Sequence, residues 1–242
     1  MTLTAPHQFD RRAAQYEQHA NVQRAAAAWL AEWLPDQIDH PALEFGAGTG
    51  LFTRHLMERT THLVASDVAP RMVEAGRHAV PGAAWLVADA ATPPDSDRYR
   101  WIFSCSLAQW LPDPLGAFRA WHRVAAPGAR FVSGWFIGGT LAEFLASCPE
   151  ASPFPWRDAA EWNDLLAQAG WMTKRQETKR FLRHYPDSAA MLREIHNLGA
   201  MVPRRMGAGK LRRILREYDR DHRGEDGVHA TFEFLRVEAA RL

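Results

Sequence analysis

The stretch Leu43-Glu44-Phe45-Gly46-Ala47-Gly48-Thr49-Gly50 constrains this chain more than any other. A short apolar run ends there, three glycines follow at alternate positions, and a helical pattern begins at Leu51. Strand, tight turn and helix in that order open an α/β unit, and glycines in such a turn let the backbone approach a ligand closely. The spacing is Gly-x-Gly-x-Gly, with Leu51 where a dinucleotide fingerprint has its third glycine.

The alternation continues. Candidate strands lie at 42–45, 62–66, 84–88, 101–105 and 130–136, with candidate helices at 51–59, 71–79 and 113–125. Pro70 suits the start of the second helix, Asp113 caps the third, and Pro127-Gly128 ends it. Repeated strand–helix units predict a doubly wound, Rossmann-like parallel sheet with right-handed crossovers. An Ala-rich helical stretch over 9–34 precedes it and stops at Pro35. Helices near 158–169, 187–199 and 209–220 surround a strand near 172–182, and a strand at about 229–237 follows, for a seven-stranded, mostly parallel sheet in one domain.

Three acids mark the strand ends. Glu44 stands two residues before Gly46, Asp67 ends the next strand, and Asp89 ends the one after. Open α/β sheets bind ligands outside these ends, so the three carboxylates are expected to converge on one crevice. Their charge selects the ligand. A pyrophosphate dianion is repelled by Glu44, which argues against a nicotinamide oxidoreductase. S-adenosylmethionine carries an ammonium, a sulfonium and one carboxylate, and its net positive charge suits the site. Asp67 accepts from ribose hydroxyls and Asp89 from the adenine amino group in this reading. Gly46, Ala47 and Gly48 supply the turn, and Val68 and Ala90 adjoin the two aspartates. Met72 either covers the adenine or packs in the core. Ser104 and Ser106, after the fourth strand, lie against the methionine end. Cys105 has no histidine in a recognisable pairing and reads as inert.

Composition excludes other classes. With 47% hydrophobic and 24% charged residues, the chain is expected to be a soluble globular protein. It has no run of 18 apolar residues and no signal-peptide pattern over Met1–Asp10. Its two cysteines imply neither a metal site nor a disulfide framework, which suits the cytoplasm. Net charge is +1, but residues 171–220 hold thirteen Lys/Arg against five Asp/Glu. That stretch is either solvated helix faces or a docking surface for an acidic partner. No nucleic-acid module is present, and no nucleic-acid or membrane partner is expected.

Glu44 to Gly50, Asp67, Asp89 and the strand order resemble a class I S-adenosylmethionine-dependent methyltransferase. A narrower resemblance runs almost end to end. Phe9 to Ala20 with Val22-Gln23-Arg24, Ser104 through Gln109-Trp110, Gly139 to Phe144, and His196 to Ala200 are similar to the biotin-pathway malonyl-acyl-carrier-protein O-methyltransferases. The sequence departs from that family's pattern at Glu44, Ala47 and the stretch Met201 to Lys210. The resemblance implies a helical lid over 1–40, a cofactor core over 41–137, and substrate-side helices and final strands over 138–242. It implies esterification of the free carboxylate of a malonyl thioester, on acyl carrier protein or coenzyme A. Tyr16, on the lid, is then the residue that bonds cofactor or substrate, or else a packed aromatic.

A carboxylate acceptor is already ionised at neutral pH, so no acid–base residue is expected, only alignment. Once buried it needs a cation. The candidates are Arg11, Arg12, Arg24, Arg204 and Arg205, each of which is otherwise a solvated side chain. Trp110 either borders the substrate pocket or packs in the core. The competing readings are a methyltransferase for another small acid, quinol or natural-product hydroxyl, and a non-catalytic cofactor-binding partner subunit.

Overall fold

A computed structural model describes residues 5–39, 41–93, 99–149, 152, 155–198 and 207–242. Among them one sheet has eight strands: β1 (Ala42–Phe45), β2 (Leu63–Asp67), β3 (Ala84–Val87), β4 (Tyr99–Cys105), β5 (Ala125–Phe136), β6 (Trp171–Tyr185), β7 (Arg223–Gly224) and β8 (Gly227–Arg241). Their order is β3-β2-β1-β4-β5-β8-β6, with β7 paired to β8. The neighbours from β3 through β5 are parallel, and β8 runs antiparallel to both β5 and β6. The sheet therefore has one strand more than the seven expected. The addition is β7, a two-residue arm that turns back onto β8 through Glu225-Asp226.

Winding reverses between β1 and β4, which are adjacent in the sheet but lead to opposite sides of it. A crevice forms at such a switch point, where successive connections diverge. All four residues of β1 are buried, as a central parallel strand requires. Alternation sends Leu43 and Phe45 to one face, where they meet Phe118, Trp121 and Trp162. Ala42 faces the other side with Ala27, Leu30, Phe52 and Leu56.

The helices are α1 (Ala5–His19), α2 (Asn21–Ala31), α3 (Thr53–Met57), α4 (Pro70–Ala79), α5 (Pro114–Val124), α6 (Ala142–Ser147), α7 (Ala159–Gln168), α8 (Ser188–Asn197) and α9 (Ala208–Asp221). Asp113 caps α5 by accepting from Gly116 N at 2.9 Å. Its buried residues Ala117, Phe118, Ala120, Trp121 and Val124 follow helical spacing. Trp121 stacks on Phe45 and donates from Nε1 to Ala90 O at 2.7 Å, tying α5 to the segment after β3.

Several boundaries differ from those read in the sequence, and two of the differences change the course of the chain. The helix expected over 9–34 is two helices broken at Ala20, whose ψ is 39°. Ala20 is fully buried. The break lets α2 pack on the sheet while α1 turns across the crevice, a tertiary demand that an alanine-rich sequence does not announce. Pro127-Gly128 does not end α5. That helix stops at Val124, and β5 begins irregularly, with Gly128 at φ +74° and a register shift against β4 between Tyr99 and Trp101. The late helices α6, α8 and α9 enclose a further core around Phe144, Met191, Ile195 and Tyr218, closed by Phe136 and Phe234 of the sheet.

Candidate active site

A cleft of about 660 Å³ opens where β1, β2 and β4 end. Glu44 is its most unusual residue. It lies within β1 and is 1% exposed, a costly place for a carboxylate. Thr53, at the start of α3, donates from its hydroxyl to Glu44 Oε2 at 2.6 Å. Burial outweighs that bond and, with Asp67 nearby, pushes the Glu44 carboxyl up to about 8.

Asp67 pins the glycine turn. Its Oδ2 accepts from Gly48 N and its Oδ1 from Ala69 N, both at 2.9 Å. Burial raises its carboxyl while these two amides hold it down, and burial is the larger effect. Each oxygen keeps lone-pair capacity for a further donor. Asp89 is exposed at the cleft edge and accepts from Ala91 N at 2.8 Å.

The glycines differ in what they permit. A Cβ at Gly46 would lie 2.9 Å from the Leu107 side chain, so that position serves close packing. A Cβ at Gly48 would meet nothing within 4 Å and would project into open space, so its bareness leaves room for a ligand.

Helix α1 lies across the cleft. Asp10 reaches to α4, whose own N-cap position is Ala69, and Asp10 Oδ1 accepts from Arg71 N at 2.9 Å. Glu17 bonds Arg54 at 2.6 Å. Arg12 bonds Asn197 at 3.2 Å and His196 at 2.7 Å on α8. Phe9 stands edge-on to Trp110, with centroids 5.1 Å apart. These contacts place Tyr16 over the cleft. Burial, reinforced by neighbouring Cys105, Asp67 and Glu17, pushes its hydroxyl far above the usual phenol range. The Cys105 thiol is likewise pushed up, to about 12, so both groups stay protonated.

A narrow second chamber of about 80 Å³ adjoins the cleft and shares Phe9, Tyr16, Gln23, Ser106 and Trp110 with it. Its far wall is apolar, built from Phe136, Phe144, Leu192 and Ile195. Among the described residues no Lys or Arg lines either space.

The cleft brings together Tyr16, Glu44, Gly46, Ala47, Gly48, Asp67, Val68, Met72, Asp89, Ala90, Ser106 and Trp110. Met72 is 2% exposed and packs beneath Phe9 and Tyr16 while also lining the cleft. Ser104 is not part of the lining. It is fully buried inside β4, and its carbonyl receives the Ser133 hydroxyl. Ser106 lies past the strand end at φ +62°, which turns it into the cleft instead. Arg24 points along its own helices to Glu17, Arg12 is held by α8, and Arg11 is exposed. None of these three lines the cleft. Arg204 and Arg205 lie outside the described residues.

Sequence reasoning missed Phe9, Gln23, Gln109 and Thr53. Phe9 stands seven residues from Tyr16, a helical spacing that was available as a signal. Gln23 and Gln109 stand in segments that carry the family resemblance, which gave neither a role of its own, and no local pattern singles out Thr53.

Residues 43–133 match the family model described as a methyltransferase domain. Over 249 residues the chain is 31% identical to the malonyl-[acyl-carrier protein] O-methyltransferase of Halorhodospira halophila, covering 94% of this chain and 83% of that protein. It is 36% identical over 138 residues to the biotin biosynthesis bifunctional protein BioHC of Cellvibrio japonicus, which covers 56% of this chain and spans only 28% of that longer protein. Among solved structures, an S-adenosylmethionine-dependent methyltransferase of Thermotoga maritima superposes with a TM-score of 0.59 at 18% identity, covering 96% of this chain and 98% of the other. Among the described residues no helix is long and apolar enough to cross a membrane.

Proposed function

The chain belongs to the class I S-adenosylmethionine-dependent methyltransferases, in the family of the malonyl-[acyl-carrier protein] O-methyltransferases, and we propose that it esterifies the free carboxylate of a malonyl thioester held on acyl carrier protein or coenzyme A. The observation that carries this reading is the extent of the likeness. It covers 94% of the chain and so includes the late helices that wall the second chamber, as well as the cofactor core.

S-adenosylmethionine is the methyl donor, and when bound it supplies a methyl group activated on a sulfonium. The cleft suits it. Glu44, once ionised, would hold the ammonium, Asp67 would accept from the ribose hydroxyls, and Asp89 would accept from the adenine amino group. Gly48 leaves the space such a ligand needs.

The acceptor carboxylate needs no base, because it is ionised at neutral pH. The groups beside the transfer point agree with that requirement. Tyr16 and Cys105 both hold their protons too firmly to take part as bases. Tyr16 acts as a hydrogen-bond donor that orients the acceptor or the cofactor, and the protein's contribution is alignment in a space closed by α1. A carboxylate in this chamber needs a cation; no Lys or Arg lines it among the described residues, and Arg204 and Arg205, which lie outside those residues, stay the sequence's candidates for that role. An acidic carrier protein would dock on the exposed basic face of α9, which carries Arg212, Arg213 and Arg216.

The apolar chamber wall favours one second reading, methylation of a hydroxyl on an apolar acceptor. That chemistry needs a base, and among the described residues that line the second chamber the one titratable side chain is Tyr16, which holds its proton too firmly. The two readings separate in one assay, methyl transfer from labelled S-adenosylmethionine. The expected result is a methyl ester on malonyl-acyl-carrier protein or malonyl-coenzyme A and none on free malonate, quinols or phenols. Cofactor binding without transfer to either malonyl carrier would reject the proposal.

A further inference from the structure

The second chamber holds a polar feature that methyl transfer does not use. Gln109 lines the chamber and is 7% exposed. Its Nε2 donates to Ser106 O at 2.9 Å, which fixes the orientation of the amide. Its Oε1 is left buried without a hydrogen-bond partner, and so is Oε1 of Gln23 in the same wall. Thr140, also in that wall, is satisfied, donating to Glu233 O at 3.0 Å and accepting from Glu233 N at 3.1 Å. Buried carbonyl oxygens are nearly always paired, so orphans in a chamber wall point to a ligand. Both orphans are acceptors, and they call for an N–H or O–H donor.

An ionised malonyl group has neither. Resting on the reading of the substrate as a malonyl thioester, we infer that Gln109, aided by Gln23, accepts the amide N–H of the β-mercaptoethylamine unit that joins the thioester sulfur to its carrier. Acyl carrier protein and coenzyme A share that unit. With the carboxylate at Tyr16 and Ser106, the sulfur and then the amide trail away from the cofactor through a space shared by the two chambers. A narrow apolar passage suits methylene groups and excludes a broad ring. Gln109 thereby acts as a specificity residue that recognises the carrier arm, apart from the acid end of the substrate.

The test uses two malonyl thioesters that differ at one atom, that of N-acetylcysteamine and that of O-acetyl-mercaptoethanol, in which an ester oxygen replaces the N–H. The unmodified enzyme is expected to prefer the amide by about tenfold in kcat/KM, the usual worth of one buried hydrogen bond. In Gln109→Met that ratio falls toward one, whatever the variant loses in absolute rate, and Gln23→Met lowers it in part. A ratio near one in the unmodified enzyme overturns the inference without requiring any variant to fold. An undiminished ratio in both variants overturns it too. Transfer to neither thioester, with S-adenosylmethionine still bound, sinks the malonyl reading beneath it, and that result is distinct from both.

Discussion

Cofactor affinity should climb with pH below 8, because Glu44 must lose a proton to receive an ammonium. Its carboxyl sits at about 8 in the unliganded cleft. About 1% of it is then ionised at pH 6 and about 10% at pH 7. If only the carboxylate form pairs with the ammonium, Kd falls about tenfold between those two values, and close to one proton leaves per cofactor bound. The sign for stability is opposite. The folded carboxyl lies above its unfolded value of 4.5, so between 4.5 and about 8 the folded state holds the extra proton. Stability without cofactor therefore declines as pH rises through that window, at up to roughly 1.4 kcal/mol per unit. Calorimetric titration with S-adenosylhomocysteine, which shares the ammonium, in two buffers of different ionisation enthalpy reads affinity and proton release together. Glu44→Gln should bind about as the unmodified protein does at pH 6, and should stay flat to pH 7. A pH-independent Kd with no proton release, or an equal slope in Glu44→Gln, would refute the reasoning.

Three further outcomes follow from the same geometry. A Cβ at Gly48 meets no atom within 4 Å, so Gly48→Val fills the space proposed for the ligand; it should cost about 1–2 kcal/mol of stability from its +57° φ and weaken cofactor binding by more than tenfold. Thermal melting paired with titration checks both parts. Asp10→Ala removes the bond that joins α1, which lies across the cleft, to the start of α4. Stopped-flow should show cofactor release accelerated several-fold, in keeping with about 1 kcal/mol for a lost cap. Replacing Arg204 and Arg205 together by alanine should raise KM for malonyl thioesters about tenfold or more while leaving cofactor Kd in place, as steady-state kinetics and titration would show.

Much of the cleft was legible because its signals are local. The ends of β1 are those read from the apolar run before Gly46, and strand-end position alone put Glu44, Asp67 and Asp89 in one cleft. What the sequence hid depends on tertiary contact. Nothing about Ala20 as a residue breaks a helix; the need to send α1 over the cleft does. Thr53 partners Glu44 across the glycine turn, nine residues away, with no pattern to mark it. Ser104 and Ser106 look alike in sequence, yet one lies in the strand and the other beyond it, and only the strand's end tells them apart. Arg24 shares α2 with Gln23, and helix phase turns one to Glu17 and the other to the chamber. Gln109 stands in a segment that carried the family likeness, but its free carbonyl becomes visible only once Ser106 is seen to occupy its amide nitrogen.

A crystal structure with S-adenosylhomocysteine tests the cleft most directly. The account predicts the amino group against Glu44, the ribose hydroxyls on Asp67, the adenine edge at Asp89, and the sulfur directed toward Tyr16 and the second chamber. A ligand seated elsewhere, or one that leaves Glu44 bonded to Thr53 alone, would contradict it.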